Sequence, residues 1–452
     1  MIANLPPYSA YKPSGVEWLD DVPAQWEVRP LKHWVGINET VLSEATDSDF
    51  GFDYLEIGAV SAGVLTDEPR RIRFGDAPSR ARRVVSRGDT IVSTVRSYLK
   101  AVWFANETDS VLICSTGFAV LTPRQGTIPQ YVGYLVQSCS FIDQMTAESV
   151  GIAYPAISEG RFSSSRVCIP PLAEQRAIAR YLDHVDRRIQ RYIEAKEKLI
   201  ALLQEARQAT IQRAVTRGLD PGVPLKPSGV DWLGDVPAHW EVRRLRTLGE
   251  AIIGLTYSPQ DVVDEEEGTL VLRASNISEG RIVYGDNVYV RCSVPDRLVA
   301  QVGDILICSR SGSRALIGKN ARIDSALSGA TFGAFMTIFR SKHNDYLHCI
   351  FNSKLFEYQS GAFLTSTINQ LTLGILNNFK IPWPPLAEQK EIAAHVDKTT
   401  AGIDAAIDNA RRQVGFMIEY RASLIAHVVT GKLDVRAAAE HLPQEARELA
   451  VS

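Results

Sequence analysis

The chain carries the same opening sequence twice. KPSGVEWLDDVPAQWEVR occupies residues 12–29 and KPSGVDWLGDVPAHWEVR occupies residues 226–243, with 15 of 18 positions identical at an offset of 214. The same offset separates two copies of PPLAEQ, at 170–175 and 384–389. One offset kept through each half of the chain predicts two copies of one structural unit, and therefore a molecule with pseudo-two-fold organisation.

Composition limits the class of protein. The 452 residues are 45% apolar and 22% charged, which is typical of a soluble globular chain. The net charge of −3 excludes a polycation but leaves room for local basic patches. The six cysteines form no C-x-x-C pair, so neither a zinc site nor a disulfide framework is expected. No run of about 18 apolar residues and no apolar signal core is present, so we expect a cytoplasmic protein outside the membrane.

Each half of the chain has three parts: the short opening segment, a variable stretch and a long helix. We call the two variable stretches the first head (30–168) and the second head (244–382). The predicted boundaries are 1–29 for the N-terminal conserved segment, 30–168 for the first head, 169–224 for a central conserved region with a long helix, 225–243 for the repeated opening segment, 244–382 for the second head, 383–435 for the C-terminal conserved region with its helix, and 436–452 for a tail.

Each opening segment contains two tryptophans, Trp18 and Trp26 in the first copy and Trp232 and Trp240 in the second. Prolines and glycines around them indicate turns, and the large indole rings indicate anchoring onto another surface. That surface is either the core of the same unit or a partner protein.

The two heads diverge in sequence but share a skeleton. RGDTIVSTVR (87–96) parallels VGDILICSRS (302–311), and STGFAVLTP (115–123) resembles GATFGAFMTIF (329–339); these apolar runs next to Gly-Asp turns predict strands. Residues 131–142 and 345–356 are predicted to be helical. We therefore expect an α/β protein with two mixed α/β heads.

A long helix should follow each PPLAEQ. Mostly apolar residues recur in steps of four and three from Ile178 to Ala206, and the second series, beginning at Ile392, keeps the offset of 214. The polar members of the two series are Lys196, Thr399 and Gln413. This spacing is typical of a coiled-coil seam, and the Pro-Pro before each helix marks its start. A helix from Leu172 to Thr216 would be about 68 Å long at about 1.5 Å per residue.

If each helix leaves its own head and ends near the other, the two helices must be antiparallel. The pair then forms a bar with a head at each end, and its length of about 68 Å is close to two turns of B-DNA at about 34–36 Å each. Such a bar would act as a ruler between two half-sites that heads of different sequence read differently.

Local charge supports a nucleic-acid partner. Residues 68–100 contain nine Lys or Arg against three acids, and residues 291–322 contain six against two. Arginine suits bidentate contacts to guanine or phosphate. The loops at 149–162 and 363–376 share a frame but differ at their tips, as readout loops would, although any tolerant surface loop does the same. The candidate DNA-contacting residues are Arg70, Arg71, Arg73, Arg82, Arg83, Arg96, Lys100, Tyr154, Arg273, Asn276, Arg310, Arg314, Lys319, Thr367 and Gln370.

These features together resemble one family. The W-x-[EV]-x-[RK]-L-type opening, the Gly-Asp strand, the PPLAEQ-x-x-I-A helix start and the T-G-x-L-D exit each occur twice, over about residues 11–435. The first exit reads TRGLD (216–220) and the second TGKLD (430–434). The pattern is similar to the specificity subunit of type I restriction-modification systems.

The resemblance implies a function. Each head would be a target recognition domain that reads one half of a bipartite, asymmetric double-stranded DNA sequence, and the paired helices would be the spacer. The subunit would not be catalytic. It would assemble with two methyltransferase (M) subunits and two restriction (R) subunits, so that S-adenosylmethionine, ATP and magnesium would be bound by the partners and no cofactor by this chain.

Three segments imitate catalytic motifs. Asn4-Leu5-Pro6-Pro7-Tyr8 departs from the N-P-P-Y motif because Leu5 separates Asn4 from the prolines. Residues 312–320 have one residue too many for a phosphate-binding loop, and Glu194-Ala195-Lys196 lies on the long helix without a companion aspartate. The alternatives to a DNA-reading scaffold are a stand-alone methyltransferase or nuclease with an unrecognised site, and a scaffold that no longer reads DNA.

Overall fold

A computed structural model describes residues 5–16, 18–106, 110–362 and 370–443. Its contacts group the chain into two units. Unit 1 contains residues 1–196 and 412–452, and unit 2 contains residues 197–411. Each unit therefore contains one head and a segment of each long helix.

Unit 1 is built on two four-stranded sheets, in the order β11-β10-β13-β4 and β8-β5-β12-β9. Three two-stranded pairs, β1-β2, β6-β7 and β14-β3, complete it. The strands are β1 (Tyr11–Pro13), β2 (Asp21–Pro23), β3 (Glu27–Pro30), β4 (Val35–Ile37), β5 (Gly51–Leu55), β6 (Val60–Ser61), β7 (Val64–Leu65), β8 (Arg70–Arg73), β9 (Ala81–Val85), β10 (Thr90–Ser93), β11 (Val102–Phe104), β12 (Leu112–Ser115), β13 (Phe118–Pro123) and β14 (Arg166–Ile169).

Unit 2 contains the orders β18-β27-β24-β25 and β19-β23-β20-β26, with the pairs β15-β16, β21-β22 and β17-β28. Its strands are β15 (Leu225–Pro227), β16 (Asp235–Pro237), β17 (Glu241–Arg244), β18 (Glu250–Ile253), β19 (Val262–Val263), β20 (Thr269–Leu272), β21 (Ile277–Ser278), β22 (Arg281–Ile282), β23 (Val288–Val290), β24 (Ile305–Cys308), β25 (Asn320–Arg322), β26 (Thr331–Phe332), β27 (Met336–Arg340) and β28 (Lys380–Trp383).

The two units share a topology, which confirms the repeat. The first sheet is the same in both when β4, β13, β10 and β11 are matched to β18, β27, β24 and β25. The second sheet keeps one parallel pair in each unit, β5 with β12 and β20 with β26. The second sheets differ at their edges. In unit 1 the strand β9 is added beside β12, whereas in unit 2 the strand β19 is added beside β23, at the opposite edge. The heads therefore diverge at the sheet margin rather than in the central strands.

The helices are α1 (Pro129–Gln137), α2 (Cys139–Ala147), α3 (Glu159–Ser164), α4 (Leu172–Arg217), α5 (Asn344–Phe351), α6 (Lys354–Ala362), α7 (Leu373–Asn377), α8 (Leu386–Val429) and α9 (Arg436–Glu440). Each predicted head helix is two helices. Ser138 breaks the first one because its backbone is extended and its hydroxyl accepts a hydrogen bond from the Phe141 N–H, which caps α2. The long helices α4 and α8 confirm the prediction made from the PPLAEQ repeats. In the part of the chain that the structure describes, no helix is long and apolar enough to cross a membrane.

The long helices pack antiparallel within each unit. In unit 1, Arg421 of α8 forms an ion pair with Asp186 of α4, and the Tyr192 hydroxyl donates to Gln413 Oε1 over 2.9 Å. In unit 2, Arg207 Nε lies 2.7 Å from Asp404 Oδ1. Residue numbers that rise along one helix fall along its neighbour, which is the antiparallel arrangement.

The seam between the helices differs from the predicted one in the middle. Tyr192 and Leu199, which the four-three pattern places in the seam, are 38% and 41% exposed. Ile193 and Ile200 are half-buried instead. An α-helix with 3.6 residues per turn drifts against a strict seven-residue repeat, so the inward face moves by one position.

The glutamate of each PPLAEQ copy accepts the same hydrogen bond in its own unit. Glu174 Oε1 accepts a hydrogen bond from the Trp26 indole N–H at 3.0 Å, and Glu388 Oε2 accepts one from Trp240 at 2.7 Å. Both indole side chains are fully buried, so these tryptophans pack in the core of their own unit. The glutamine that follows, Gln175, donates to the Pro170 carbonyl at 2.9 Å.

The C-terminal exit closes unit 1 against its own opening segment. Tyr11 donates its hydroxyl proton to the Gly431 carbonyl at 3.1 Å, and the Asp434 N–H donates to the Pro6 carbonyl at 2.8 Å. Gly431 has a φ of 76° and a Cβ there would collide with Pro23, so glycine is required.

We expect Glu174→Ala to destabilise unit 1 by about 1–3 kcal/mol, because it leaves the buried Trp26 N–H without its acceptor. Glu174→Gln retains a side-chain oxygen and should cost less. Urea unfolding followed by tryptophan fluorescence measures both effects. Glu194→Ala is the control, because Glu194 is an exposed glutamate on the same helix. Equal midpoints for the alanine variant and the unaltered chain would show that the hydrogen bond is not stabilising.

Candidate nucleic-acid interface

The basic residues predicted in the first head do not form one patch. Arg70, Arg71 and Arg73 lie on β8, at one edge of the second sheet, whereas Arg82 and Arg83 lie on β9 at the opposite edge. The nine cations of residues 68–100 are close in sequence, but the sheet order β8-β5-β12-β9 separates those on β8 from those on β9.

Several of these arginines already have partners. Arg71 Nη1 lies 3.4 Å from Asp53 Oδ1 and Arg73 Nη1 lies 3.3 Å from Asp49 Oδ1. The ion pairs are exposed, so they are weak and a phosphate could compete for either arginine. Arg70 is exposed at the start of β8.

On β9 the two arginines differ in role. The Arg82 guanidinium stacks over the Phe74 ring, 4.8 Å from its centroid. Arg83 is half-buried and donates to the Phe118 carbonyl, and burial lowers the pKa of its guanidinium. Arg83 therefore supports the head from inside, while Arg82 stays near the surface.

Arg96 and Lys100 lie together at the exit of β10. Both have left-handed backbones, with φ of 51° and 57°, and they flank a short 3-10 turn. A left-handed arginine or lysine is uncommon and stored strain of this kind clusters at functional sites. The Arg96 guanidinium stacks on the Tyr154 ring at 4.2 Å from the centroid and donates to the Ala153 carbonyl at 3.2 Å.

The segment that carries Tyr154 is anchored to the exit of β10. Val95 pairs with Ala156, and the Arg96 N–H donates to the Pro155 carbonyl at 2.7 Å. Two of the sequence-predicted residues, Arg96 and Tyr154, are thus brought together as a candidate surface in the first head, while Lys100 lies four residues beyond Arg96 with its Nζ 3.7 Å from Cys139 Sγ.

The second head has an open groove of about 1260 Å³. Three predicted residues, Arg273, Arg310 and Gln370, line it together with Tyr257 and Phe335. The Arg310 guanidinium stacks on the exposed Phe335 ring at 5.1 Å from the centroid.

Arg273 is held at the groove wall by Asp286. Its Nη2 lies 2.5 Å from the carboxylate and 2.7 Å from the main-chain oxygen of that residue. The groove therefore offers one arginine stacked on an aromatic ring and one held by a carboxylate.

The remaining predicted residues of the second head lie elsewhere. Asn276 is only 1% exposed. Its side chain accepts a hydrogen bond from the Arg273 N–H and donates one to the Val283 carbonyl, so its amide is used inside the head. Arg314 is exposed and donates to the Gly361 carbonyl at 3.3 Å, and Lys319 is exposed beside a separate cleft of about 670 Å³. Thr367 lies outside the described residues.

Each head places an arginine at the exit of the matching strand, β10 or β24, but the two positions differ by one residue, because Val95 rather than Arg96 is the counterpart of Arg310 in the pairing with the loop. The strand exit pairs with the loop before the long helix in both, through Val95 with Ala156 and Arg310 with Gln370. Arg96 and Arg310 then each stack on an aromatic ring, although Tyr154 comes from that loop and Phe335 from the turn before β27. A guanidinium held by a ring loses less freedom when it forms a bidentate contact with guanine or phosphate.

Four apolar residues that are not among the sequence-predicted candidates accompany these arginines. Tyr257 and Phe335 line the groove, while Val150 and Ile152 are exposed beside Tyr154. The signal for the last two was the run V-G-I-A-Y-P at 150–155, in which apolar residues lie within a turn.

The structure describes parts of two of the segments that resemble catalytic motifs. Tyr8 is buried, edge-on to Trp26, and Asn4 lies outside the described residues. The segment after Gly312 continues into a three-residue 3-10 turn and then into β25, whereas a phosphate loop opens an α-helix. Within the described ranges no group of His, Cys, Asp and Glu could hold a metal ion.

Comparison with known proteins agrees with the fold. Residues 24–201 and 237–411 each match the family described as "Type I restriction modification DNA specificity domain". The specificity subunit of the type I restriction enzyme EcoKI from Escherichia coli K12 is 28% identical over 216 residues, 44% of this chain and 44% of that protein. The MjaVIII specificity subunit of Methanocaldococcus jannaschii is 25% identical over 302 residues, 65% of this chain and 68% of that protein. The alignment thus spans less than half the length of the E. coli relative.

Among solved structures, a chain from work on complex assembly and conformational transition of the type I R-M system is similar, with a TM-score of 0.67 and 22% identity. The match covers 91% of this chain and 99% of that one, which supports the same fold. The two matches to this domain together cover most of the chain, so the chain belongs to the type I restriction modification DNA specificity domain family.

Proposed function

We propose that this chain is the sequence-reading subunit of a type I restriction-modification complex, and that each head reads one half of a bipartite, asymmetric double-stranded DNA sequence. One observation carries the proposal: Arg96 and Arg310 lie at the exits of the matching strands β10 and β24, and each is stacked on an aromatic ring. Family membership gives the biological setting for that arrangement.

The surroundings of the two arginines differ, so the heads should read different half-sites. Arg96 lies beside an exposed apolar turn, whereas Arg310 opens onto a groove shared with Arg273 and Gln370. Side chains that reach base edges carry the sequence information, while contacts to phosphate only position the protein. An asymmetric target follows from the asymmetry of the two surfaces.

We assign the gap between half-sites to the long helices. An α-helix has a fixed rise of about 1.5 Å per residue, and α4 and α8 run 46 and 44 residues. The ion pairs of Arg421 with Asp186 and of Arg207 with Asp404 oppose sliding of one helix along the other.

The partners are inferred from the repeat. Leu202 and Phe416 occupy equivalent positions, 214 residues apart on α4 and α8, and they are 54% and 62% exposed. Exposed apolar side chains at equivalent positions suit two copies of one partner. We propose that these are two methyltransferase subunits, that two restriction subunits join them, and that S-adenosylmethionine, ATP and magnesium are bound by those partners while this non-catalytic chain binds none, in the cytoplasm.

A methylation map tests the whole proposal. The chain is co-expressed with its neighbouring methyltransferase subunit in a host without DNA methylation, and modified adenines are located by long-read sequencing. We expect one bipartite motif with a fixed gap. A stable complex that leaves the genome unmodified would contradict DNA reading and favour the scaffold alternative. Modification by this chain alone would favour a stand-alone enzyme.

Exchange of the second head, residues 244–382, for that of another family member should change one half of the motif and leave the other half and the gap intact. The expectation follows from the shared topology of the two units, in which the helices and opening segments frame each head. The same methylation map measures it. Changes in both halves would show that the heads do not read independently.

Arg310→Ala should weaken binding to the mapped motif by about 1–3 kcal/mol and relax the preference at one position of one half-site. Fluorescence anisotropy with single-base variants of the motif measures both quantities. Arg297→Ala is the matched control, because Arg297 is an exposed arginine of the same head and is paired with Glu250. Equal losses in the two variants would mean that Arg310 contributes only charge.

A further inference from the structure

A short apolar turn projects from the first head beside Arg96. Val150, Ile152 and Tyr154 are 67%, 104% and 68% exposed, so alternate residues of a five-residue segment present apolar side chains to solvent. Isolated exposed apolar residues are ordinary, but three within one turn form a patch that binding would cover. We call residues 150–156 the apolar tip.

The apolar tip is held in one shape by its own hydrogen bonds. The Val150 N–H donates to the Ala156 carbonyl at 2.9 Å, and the Ala156 N–H donates to the Val150 carbonyl at 3.0 Å. Gly151 has a φ of 119°, which only glycine adopts easily. A second connection joins the tip to the β10 exit, where the Ile157 N–H donates to the Thr94 carbonyl at 2.9 Å.

The arginine beside the apolar tip favours DNA as its occupant. Arg96 stacks on Tyr154 of the tip itself, and exposed Lys100 lies at the other end of the same 3-10 turn. Cations beside an apolar projection match a nucleic-acid groove, in which phosphates flank the base edges. The tip is a two-stranded turn, and the major groove of about 12 Å admits a two-stranded ribbon.

We infer that the apolar tip reads thymine, with Ile152 in contact with a thymine 5-methyl group in the major groove and Val150 adjoining it. The methyl group of thymine is the apolar feature of that groove, and apolar side chains are its natural partners. Arg96, held by Tyr154, then lies over the neighbouring base pair or its phosphate. The inference rests on the proposed function and adds the base that one head recognises.

Removal of one methyl group from the DNA tests the inference. The full chain, purified with its methyltransferase subunit, is titrated with duplexes of the mapped motif in which each thymine of one half-site in turn is replaced by uracil. Every half-site that is methylated on adenine contains at least one thymine opposite that adenine. For at least one position in the half-site of the first head we expect a loss of roughly fourfold, about what burial of one methyl group contributes.

The variant Ile152→Ala, combined with the change of thymine to uracil, completes a double-mutant cycle. The variant should bind the thymine duplex about fourfold more weakly. Replacement of thymine by uracil should not weaken its binding further, because the side chain that contacts the thymine methyl group is already absent. Because the Ile152 side chain is fully exposed, the thermal unfolding midpoint of the Ile152→Ala variant should match that of the unaltered chain. Val41→Ala, which trims another exposed apolar residue of the same head, should keep the full uracil effect.

The outcomes separate the two proposals. Binding to the motif with no uracil effect in either half-site, or an effect that persists in Ile152→Ala, would overturn thymine reading and leave the proposed function standing. Absence of binding to every motif duplex would overturn the proposed function itself. Exchange of the first head identifies which half-site belongs to it.

Discussion

The hydrogen bond between a buried tryptophan and the glutamate in the first turn of each long helix holds the architecture together. It joins residues 148 positions apart in both units, Trp26 with Glu174 and Trp240 with Glu388. A carboxylate at a helix N-terminus is favoured by the helix dipole, and the indole N–H satisfies it where water is excluded. The direction in which each helix leaves its head is therefore set by the opening segment that precedes that head.

This constraint explains why the opening segment and PPLAEQ repeat so faithfully while the heads diverge. β3 pairs with β14 and β17 with β28, so each head begins and ends on one two-stranded ribbon. Everything between the two strands can change provided that the ribbon and the Trp–Glu hydrogen bond remain. In the proposed function such a division lets the heads acquire new DNA targets, because the frame and the DNA-contacting surface are under separate constraints.

Much of the frame could be predicted from the sequence, since it depends on local signals. The helix expected from Leu172 to Thr216 runs from Leu172 to Arg217, and the strands beside the Gly-Asp turns lie where they were expected. The candidate DNA-contacting surface could be predicted less well from the sequence. Whether an arginine is free depends on acids that are distant in sequence, such as Asp53 for Arg71.

Local patterns also mislead when they concern a buried polar residue or an exposed apolar one. Asn276 was a candidate DNA contact because of its chemistry, yet its amide holds a turn together inside the head. Ile152 is not among the sequence-predicted candidates, and an apolar residue is usually expected to pack inward. Only the backbone pairing of Val150 with Ala156 shows that the side chain between them points outward to solvent.

Two arginines at equivalent positions show how each reading surface is coupled to its helix segments. Arg421 pairs with Asp186 and also donates to the Ala62 carbonyl, at the tip of the β6-β7 hairpin. Arg207, 214 residues earlier, pairs with Asp404, which also accepts from Arg281 of the β21-β22 hairpin. One side-chain cluster in each unit thus joins two helices and a head hairpin. In the proposed function a bound half-site acts on the head and the gap is set along the helices. The orientation of the head must then be fixed to its helices for both to be read together, and these clusters supply that connection.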